Sequence, residues 1–362
     1  MKPNIFIERL KEYPLSSHKA WEIKNKKDVL KLDWNESNLF LPEKVKKKLI
    51  EFIKKGPTFW YPDVYNRTLI KEIAKYLKIS PSCIQYFEGS DSALDYVVRT
   101  FLKQKDEVAI SSPTYDNFRV YVEAIGAKIN YIFGKDIFSA DIKNLLKNLS
   151  HKTKLLYLCN PNNPTGALYS KEEIEKILKS FPKTVLLVDE AYAEFAQKTV
   201  VSLVKKYDNL IVSRSFSKAF GLASFRLGYL VSAPENISYI NKIRNGKNIS
   251  ATAQIAALHI LRNKKYMEKY VEEIKRAKAM TVKNLREMGF SVIETPANFI
   301  LIKTNNPSDF YKKLEKQKIF VRNLSYLPFL KNYIRITIWS SDSMKRFIQK
   351  LKKINERKNC AF

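Results

Sequence analysis

Between Ser215 and Tyr229 the chain sets Ser215, Ser217, Lys218 and Arg226 among apolar residues. A lysine amine attacks a carbonyl when desolvation or a nearby cation lowers its pKa, or when it is already held as a Schiff base. Hydroxyls and a guanidinium are groups that grip a phosphate, the hydroxyls by single hydrogen bonds and the arginine by a bidentate fork. A ligand with both an aldehyde and a phosphate would satisfy the two halves together. Taken alone, the same residues also read as a surface loop with Lys218 solvated.

Other stretches carry matching chemistry. Glu88-Gly89-Ser90-Asp91-Ser92 opens a predicted helix, where unpaired backbone amides and the positive end of the helix dipole suit a phosphate. A plain N-cap by Ser90 or Asp91 is the simpler reading. Tyr115 lies just past a predicted strand, placed to stack on a flat ligand or to close the core. Asn160-Pro161-Asn162-Asn163-Pro164-Thr165-Gly166 is a turn in which the prolines hold the asparagine side chains in fixed directions. Asp189 and Tyr192 follow an all-apolar run, and an acid there is costly to bury unless a cation such as a protonated ring nitrogen pairs with it.

The elements that must position these groups are legible from periodicity. Helical spacing of apolar residues predicts helices over Glu43–Lys55 and Thr68–Lys78. From Ile84 onward short apolar runs alternate with helices, the pattern of a mostly parallel sheet with crossovers. Strands are expected at Ile84–Phe87, Glu107–Ile110, Ile129–Phe133, Lys154–Leu158, Thr184–Val188, Leu210–Ser213 and Arg226–Ser232. A long helical stretch, Ala251 to Met288, leads to a second, smaller α/β pattern whose strands carry Arg322 and Arg335. The expected division is an N-terminal arm and substrate-closing segment (1–42), a large α/β domain (43–250), a linking helical region (251–288) and a small C-terminal α/β domain (289–362).

Composition limits the function classes. The 362 residues carry a formal net charge of +29, which invites a nucleic-acid reading. The charge is mostly lysine spread over helix-like segments, with no arginine–aromatic cluster and no helix-turn-helix, zinc or RNA-binding signature, so no nucleic-acid partner is expected. No segment is apolar for long enough to span a membrane, and Met1–Leu10 lacks the apolar core of a secretory signal, so a cytoplasmic protein without membrane contact is expected. Cys83, Cys159 and Cys360 have no metal spacing and read as free thiols, and no metal site is expected.

Together these groups form an inventory for pyridoxal 5'-phosphate (PLP). Lys218 would bind its aldehyde, Asp189 would keep its ring nitrogen protonated, and Asn163 and Tyr192 would hydrogen-bond its ring hydroxyl. Tyr115 would stack on the ring, and Ser90, Asp91, Ser215, Ser217 and Arg226 would hold the phosphate. The chain resembles the fold-type I PLP-dependent aminotransferases, and within them histidinol-phosphate aminotransferase. The resemblance covers nearly the whole chain and rests above all on Asn160–Gly166, Asp189-Glu190-Ala191-Tyr192, and Ser217-Lys218-Ala219-Phe220-Gly221-Leu222 with Arg226.

That resemblance implies more than the residues do by themselves. Tyr61 matches a tyrosine offered to the cofactor phosphate of a neighbouring subunit, which implies a homodimer with shared active sites. Arg335 matches the arginine that receives the amino acid's α-carboxylate, Arg322 one that helps bind the phosphate end of the substrate, and Asn35 lies in the segment that closes over the substrate. The chain departs from the family at Trp34-Asn35-Glu36-Ser37 and at Trp339-Ser340, and lacks the usual Pro-Tyr near Asn245–Ser250. Trp34 and Trp339 point either to a smaller or differently shaped substrate or to simple packing.

The expected reaction is ping-pong transfer of an amino group from an amino acid such as glutamate to a small phosphorylated ketone. That ketone would be of the imidazole-acetol-phosphate type or a smaller one such as dihydroxyacetone phosphate. The alternative on the same scaffold is PLP-dependent decarboxylation of a phosphorylated amino acid, serine or threonine phosphate.

Overall fold

The computed structural model describes residues 1–14 and 18–359, with side chains to residue 354. Cys360, expected as a free thiol, lies outside them; Cys83 and Cys159 are buried free thiols. In chain order the strands are β1 (Leu30–Leu32), β2 (Ile84–Phe87), β3 (Glu107–Ser112), β4 (Lys128–Phe133), β5 (Thr153–Cys159), β6 (Val185–Asp189), β7 (Leu210–Ser215), β8 (Gly228–Ser232), β9 (Val292–Glu294), β10 (Phe299–Lys303), β11 (Ile319–Asn323) and β12 (Tyr333–Thr337). Two compact units result, one of Met1–Tyr13 with Leu39–Met267, the other of Pro14–Asn38 with Glu268–Phe362.

The first unit is built on a seven-stranded sheet in the order β2-β8-β7-β6-β5-β3-β4. The five strands from β7 to β4 run parallel, and β8 is antiparallel to both β7 and β2. Strands β6 and β7 are almost entirely buried, as expected of near-continuous Val, Leu and Ile runs covered by helices on both faces. Sequence and sheet chemistry meet again in the helices: Ser170 and Glu173 form a reciprocal capping box that starts Lys171–Ser180. Against one face pack Val97, Val98 and Phe118, with the Phe118 ring stacked on Tyr157 at 4.1 Å. The expected helical stretch from Ala251 is two helices, Ala251–Arg262 and Lys265–Glu287.

The second unit holds a five-stranded sheet, β1-β11-β12-β10-β9. Its edge strand β1 comes from the N-terminal segment and runs parallel to β11, with Leu30 opposite Ile319 and Leu32 opposite Val321. The segment expected as one arm over 1–42 is therefore divided: residues 14–38 belong with the C-terminal sheet and the flanking residues with the first unit. A three-residue strand gives too short an alternation to be read from sequence; what fixes it is its buried Leu30 and Leu32 against β11. Among the described residues, no helix is long and apolar enough to cross a membrane.

Candidate active site

Strand alternation sorts the side chains at the carboxyl ends of β6 and β7. Asp189 pairs in register with Ser213 and with Cys159 of β5, so these three share a face of the sheet, and Tyr157, two residues before Cys159, shares it too. The Tyr157 hydroxyl donates to Asp189 Oδ2 at 3.1 Å and the Ala191 backbone N–H donates to Oδ1 at 3.2 Å. Burial pushes the Asp189 carboxyl up to about 7; the Tyr157 bond and nearby Lys218 oppose this, while the Asp91 charge adds to it. Two neutral donors on a buried carboxyl suit a third, cationic N–H partner, the type a pyridinium supplies.

Lys218 follows β7 on a turn pinned by aromatics. Phe216 and Phe220 are buried with ring centres 5.0 Å apart, and Tyr76 meets Phe220 edge-on at 5.8 Å. The Phe-x-x-x-Phe spacing thus holds Lys218 half-buried between two anchors, its Nζ 5.9 Å from the centre of the Tyr192 ring. The Ser217 N–H donates to Ser215 Oγ at 3.0 Å.

The turn before the helix Ser90–Phe101 has Gly89 at φ +90°, and no side chain caps that helix. The simpler reading of Ser90 or Asp91 as a plain N-cap does not hold. Instead the Asp91 carboxylate accepts the Tyr115 hydroxyl at 2.8 Å and pairs with Arg226 Nη2 at 3.4 Å. An acceptor so engaged orients Arg226, and only the backbone N–H of Asp91 has the polarity to meet an anion. A Cβ on Gly89 would come within 2.7 Å of Arg226 Nη2, and one on Gly228 within 2.5 Å of the Ser90 nitrogen. Glycine at both places lets the turn amides, Arg226 and the start of β8 converge. That donor set, with the hydroxyls of Ser215 and Ser217, fits a phosphate; with Lys218 for the aldehyde and Asp189 for the ring nitrogen, the residues present fit PLP.

The asparagine turn is rigid because two of its asparagines serve the scaffold. Asn160 bonds both ways with the Tyr169 backbone at 3.1 and 2.8 Å. Asn162 takes the Thr114 hydroxyl at 2.6 Å and donates to the Pro113 carbonyl at 2.8 Å, tying this turn to the loop after β3. The Ser112–Pro113, Asn160–Pro161 and Asn163–Pro164 bonds are cis. Asn163 is buried beside these two, and Tyr192 is buried just beyond β6. The Tyr115 ring stands edge-on to Tyr13 at 5.9 Å, and burial together with Asp91 holds its phenol far above the ordinary tyrosine range. Tyr61 is 79% exposed in a loop with Phe59, Trp60 and Tyr65 also exposed, and Lys247 Nζ sits 5.1 Å from its ring centre.

The remaining expected residues lie in the second unit. Arg322 and Arg335 are register partners across β11 and β12, both largely buried. Arg322 Nη2 donates to the Pro14 carbonyl at 2.5 Å and to the Tyr326 hydroxyl at 2.9 Å, and Arg335 Nη2 donates to the Asp33 carbonyl. Like charges directly opposite on a sheet repel, and two guanidiniums held together in this way suit an anion. Asn35, at φ +56°, is fully engaged with the sheet: its N–H donates to Thr337 Oγ1 at 3.0 Å, its side-chain oxygen meets the same hydroxyl, and its carbonyl accepts Asn298 Nδ2. Trp339 Nε1 donates to the Glu36 carbonyl at 3.0 Å, and Lys31 Nζ lies 4.1 Å above the Trp34 ring while bridging Asp33 and Glu36.

Sequence reasoning missed Tyr157, whose signal was a lone hydroxyl in an apolar strand, and a buried cluster of Arg214, Glu190 and Glu194. Glu190 lies in the very motif that drew attention to Asp189, and Glu194 follows two residues after its Tyr192.

Residues 27–351 match the family described as aminotransferase class I and II. A dihydroxyacetone phosphate transaminase of Campylobacter jejuni is 39% identical over 99% of this chain and 98% of its own length. A histidinol-phosphate aminotransferase of Ruminiclostridium cellulolyticum is 35% identical over 95% of this chain and 98% of its own. Among solved structures, histidinol-phosphate aminotransferase from Sinorhizobium meliloti, in complex with PLP, superposes with a TM-score of 0.87 at 24% identity, covering 98% of this chain and 97% of that one.

Proposed function

The chain belongs to the class I and II aminotransferases, PLP-dependent enzymes, and on that premise we propose that its amino acceptor is a small phosphorylated ketone of the size of dihydroxyacetone phosphate, with glutamate as donor. The observation that carries this reading is the buried, register-paired Arg322 and Arg335: two fixed cations suit a carboxylate on the donor and a phosphate on the acceptor. The 39% identity to a dihydroxyacetone phosphate transaminase over essentially full length supports the smaller ketone.

When bound, PLP supplies the electron sink that stabilises negative charge at the carbon next to the transferred nitrogen. The rest falls to this chain. Asp189 would hold the ring nitrogen's proton, and Asn163 and Tyr192 would hydrogen-bond the ring hydroxyl. Ser90, Ser215, Ser217, the Asp91 amide and Arg226 would fix the phosphate. Lys218 Nζ would take the proton from the donor's Cα, and Arg335 would orient the donor by its α-carboxylate so that the C–H bond faces that amine. Arg322 would anchor the phosphate of the acceptor, while Asn35, Trp34 and Trp339 would shape the remainder of its site. The exposed Tyr61 loop supports a homodimer in which Tyr61 reaches the partner's cofactor phosphate, and the protein would work in the cytoplasm.

The test is a single-turnover absorbance screen. The PLP form is mixed with glutamate and other amino acids, and the pyridoxamine form with dihydroxyacetone phosphate and the imidazole-acetol ketone. Fastest return of the PLP spectrum with dihydroxyacetone phosphate is expected. Preference for the imidazole ketone would overturn the smaller acceptor, and carbon dioxide release from phosphoserine or phosphothreonine would replace transamination by decarboxylation.

A further inference from the structure

Directly behind the face that carries Asp189 and Ser215 lies a charged cluster in the interior. Arg214 donates through Nη1 to Glu190 Oε2 at 2.7 Å and through Nη2 to Glu194 Oε1 at 2.6 Å; the three side chains are 4, 1 and 3% exposed. Glu190 is closed off by the Thr199 hydroxyl at 2.7 Å and the Val200 N–H at 2.6 Å. Buried ion clusters are costly and are weak stabilisers, so this one calls for a reason other than stability.

Sequence adjacency supplies it. Glu190 follows Asp189 and Arg214 precedes Ser215, and neighbours on a strand face opposite sides. A bond between Glu190 and Arg214 on the back therefore sets the spacing of Asp189 and Ser215 on the front, a relation the Glu190 N–H to Ser213 carbonyl bond at 2.8 Å extends beyond the end of β6. The cluster also reaches the lysine turn, since Tyr76 contacts Glu194 through its hydroxyl at 3.4 Å and Phe220 through its ring.

We propose that Arg214 is a positioning residue for the reaction: bridging Glu190 and Glu194, it fixes Asp189 relative to the turn that carries Lys218. The inference rests on Lys218 and Asp189 holding PLP. A bidentate guanidinium is needed, because an ammonium at the same place is a point charge that cannot span both carboxylates. Reacting groups displaced by about 1 Å lose on the order of 100-fold in rate. The Arg214 guanidinium bridges the two glutamates and not the Gly89–Ser90 turn or Arg226, so those phosphate donors stay in place when it is changed.

The experiment compares wild type, Arg214→Lys and Glu194→Gln, each saturated with PLP. Three quantities are read: the melting temperature, the pH midpoint of the visible absorbance of bound PLP, and kcat per bound PLP against KM for glutamate. Both variants are expected to retain PLP, to shift the absorbance midpoint by about half a pH unit or more, and to lose about tenfold in kcat at unchanged KM. A lower melting temperature with unchanged midpoint and unchanged kcat per bound PLP would reduce the cluster to a structural role and overturn the proposal. If Arg214→Lys does not fold, Glu194→Gln, which keeps the guanidinium, decides by the same criteria. Absence of any PLP absorbance in wild type after loading would instead refute the cofactor site itself.

Discussion

The Tyr115 hydroxyl donates to Asp91 over 2.8 Å, and the other oxygen of that carboxylate pairs with Arg226 at 3.4 Å. One acid thus couples the residue proposed to stack on the cofactor ring to the residue proposed to hold its phosphate.

Replacing Asp91 by Ala removes both anchors and should raise the PLP dissociation constant about tenfold in equilibrium dialysis. Relief of repulsion between carboxylate and phosphate acts the other way. Because Arg226 and Asp91 are both partly exposed, that term is screened to below about 1 kcal/mol, and the loss of anchoring wins. Tyr115→Phe keeps the ring and should cost only a few-fold.

Lys218→Ala should lower turnover by about 10⁴-fold and abolish the visible absorbance of bound PLP, while the melting temperature of the PLP-free protein stays close to wild type. The turn is held by Phe216 and Phe220, which the change leaves in place. A variant with normal activity in a coupled transaminase assay would remove Lys218 from its proposed role.

Asp189 also makes a pH-dependent contribution whose sign is unusual for an acid. Its carboxyl is raised to about 7 by burial. Between the unfolded value near 4 and 7, the native PLP-free protein binds a proton that the unfolded chain does not, so stability from this group falls as pH rises and levels off above 7. Asp189→Asn should flatten that slope in thermal melts of the PLP-free protein between pH 5 and 8. In the PLP-bound protein a cationic ring nitrogen favours the carboxylate, so PLP should stabilise most above pH 7, and Asp189→Asn should keep PLP yet lose most of the rate.

The paired arginines should separate by substrate. Arg335→Gln is expected to raise KM for glutamate by about 100-fold, and Arg322→Gln to raise KM for the phosphorylated ketone while leaving the donor half-reaction close to normal. Equal effects of both changes on both half-reactions, measured by single turnover, would assign the two arginines to one shared anion site.

Much of the first unit was legible because its strands are short apolar runs between turn residues, and Ile84–Phe87 matches the observed strand end to end. The chemistry-bearing residues were visible for the same reason: Asp189 and Lys218 stand just past such runs. What stayed hidden depends on tertiary pairing. Leu30–Leu32 becomes a strand only because β11 is beside it. Arg322 and Arg335 could be numbered from sequence, yet their opposition across β11 and β12 is a matter of register. Nothing in the sequence singles out Arg214; its bonds to two glutamates come from burial and tertiary pairing.

The covering of β11 by β1 bears on how this protein can be cut. A recombinant C-terminal fragment starting at Glu268 would lack Leu30–Leu32, leaving the N–H and C=O groups of β11 along an open flank beside buried apolar side chains. Such a flank recruits strands from other molecules. A soluble minimal version of the small sheet would have to splice residues 14–38 back onto that fragment, so this compact unit is discontinuous in the gene.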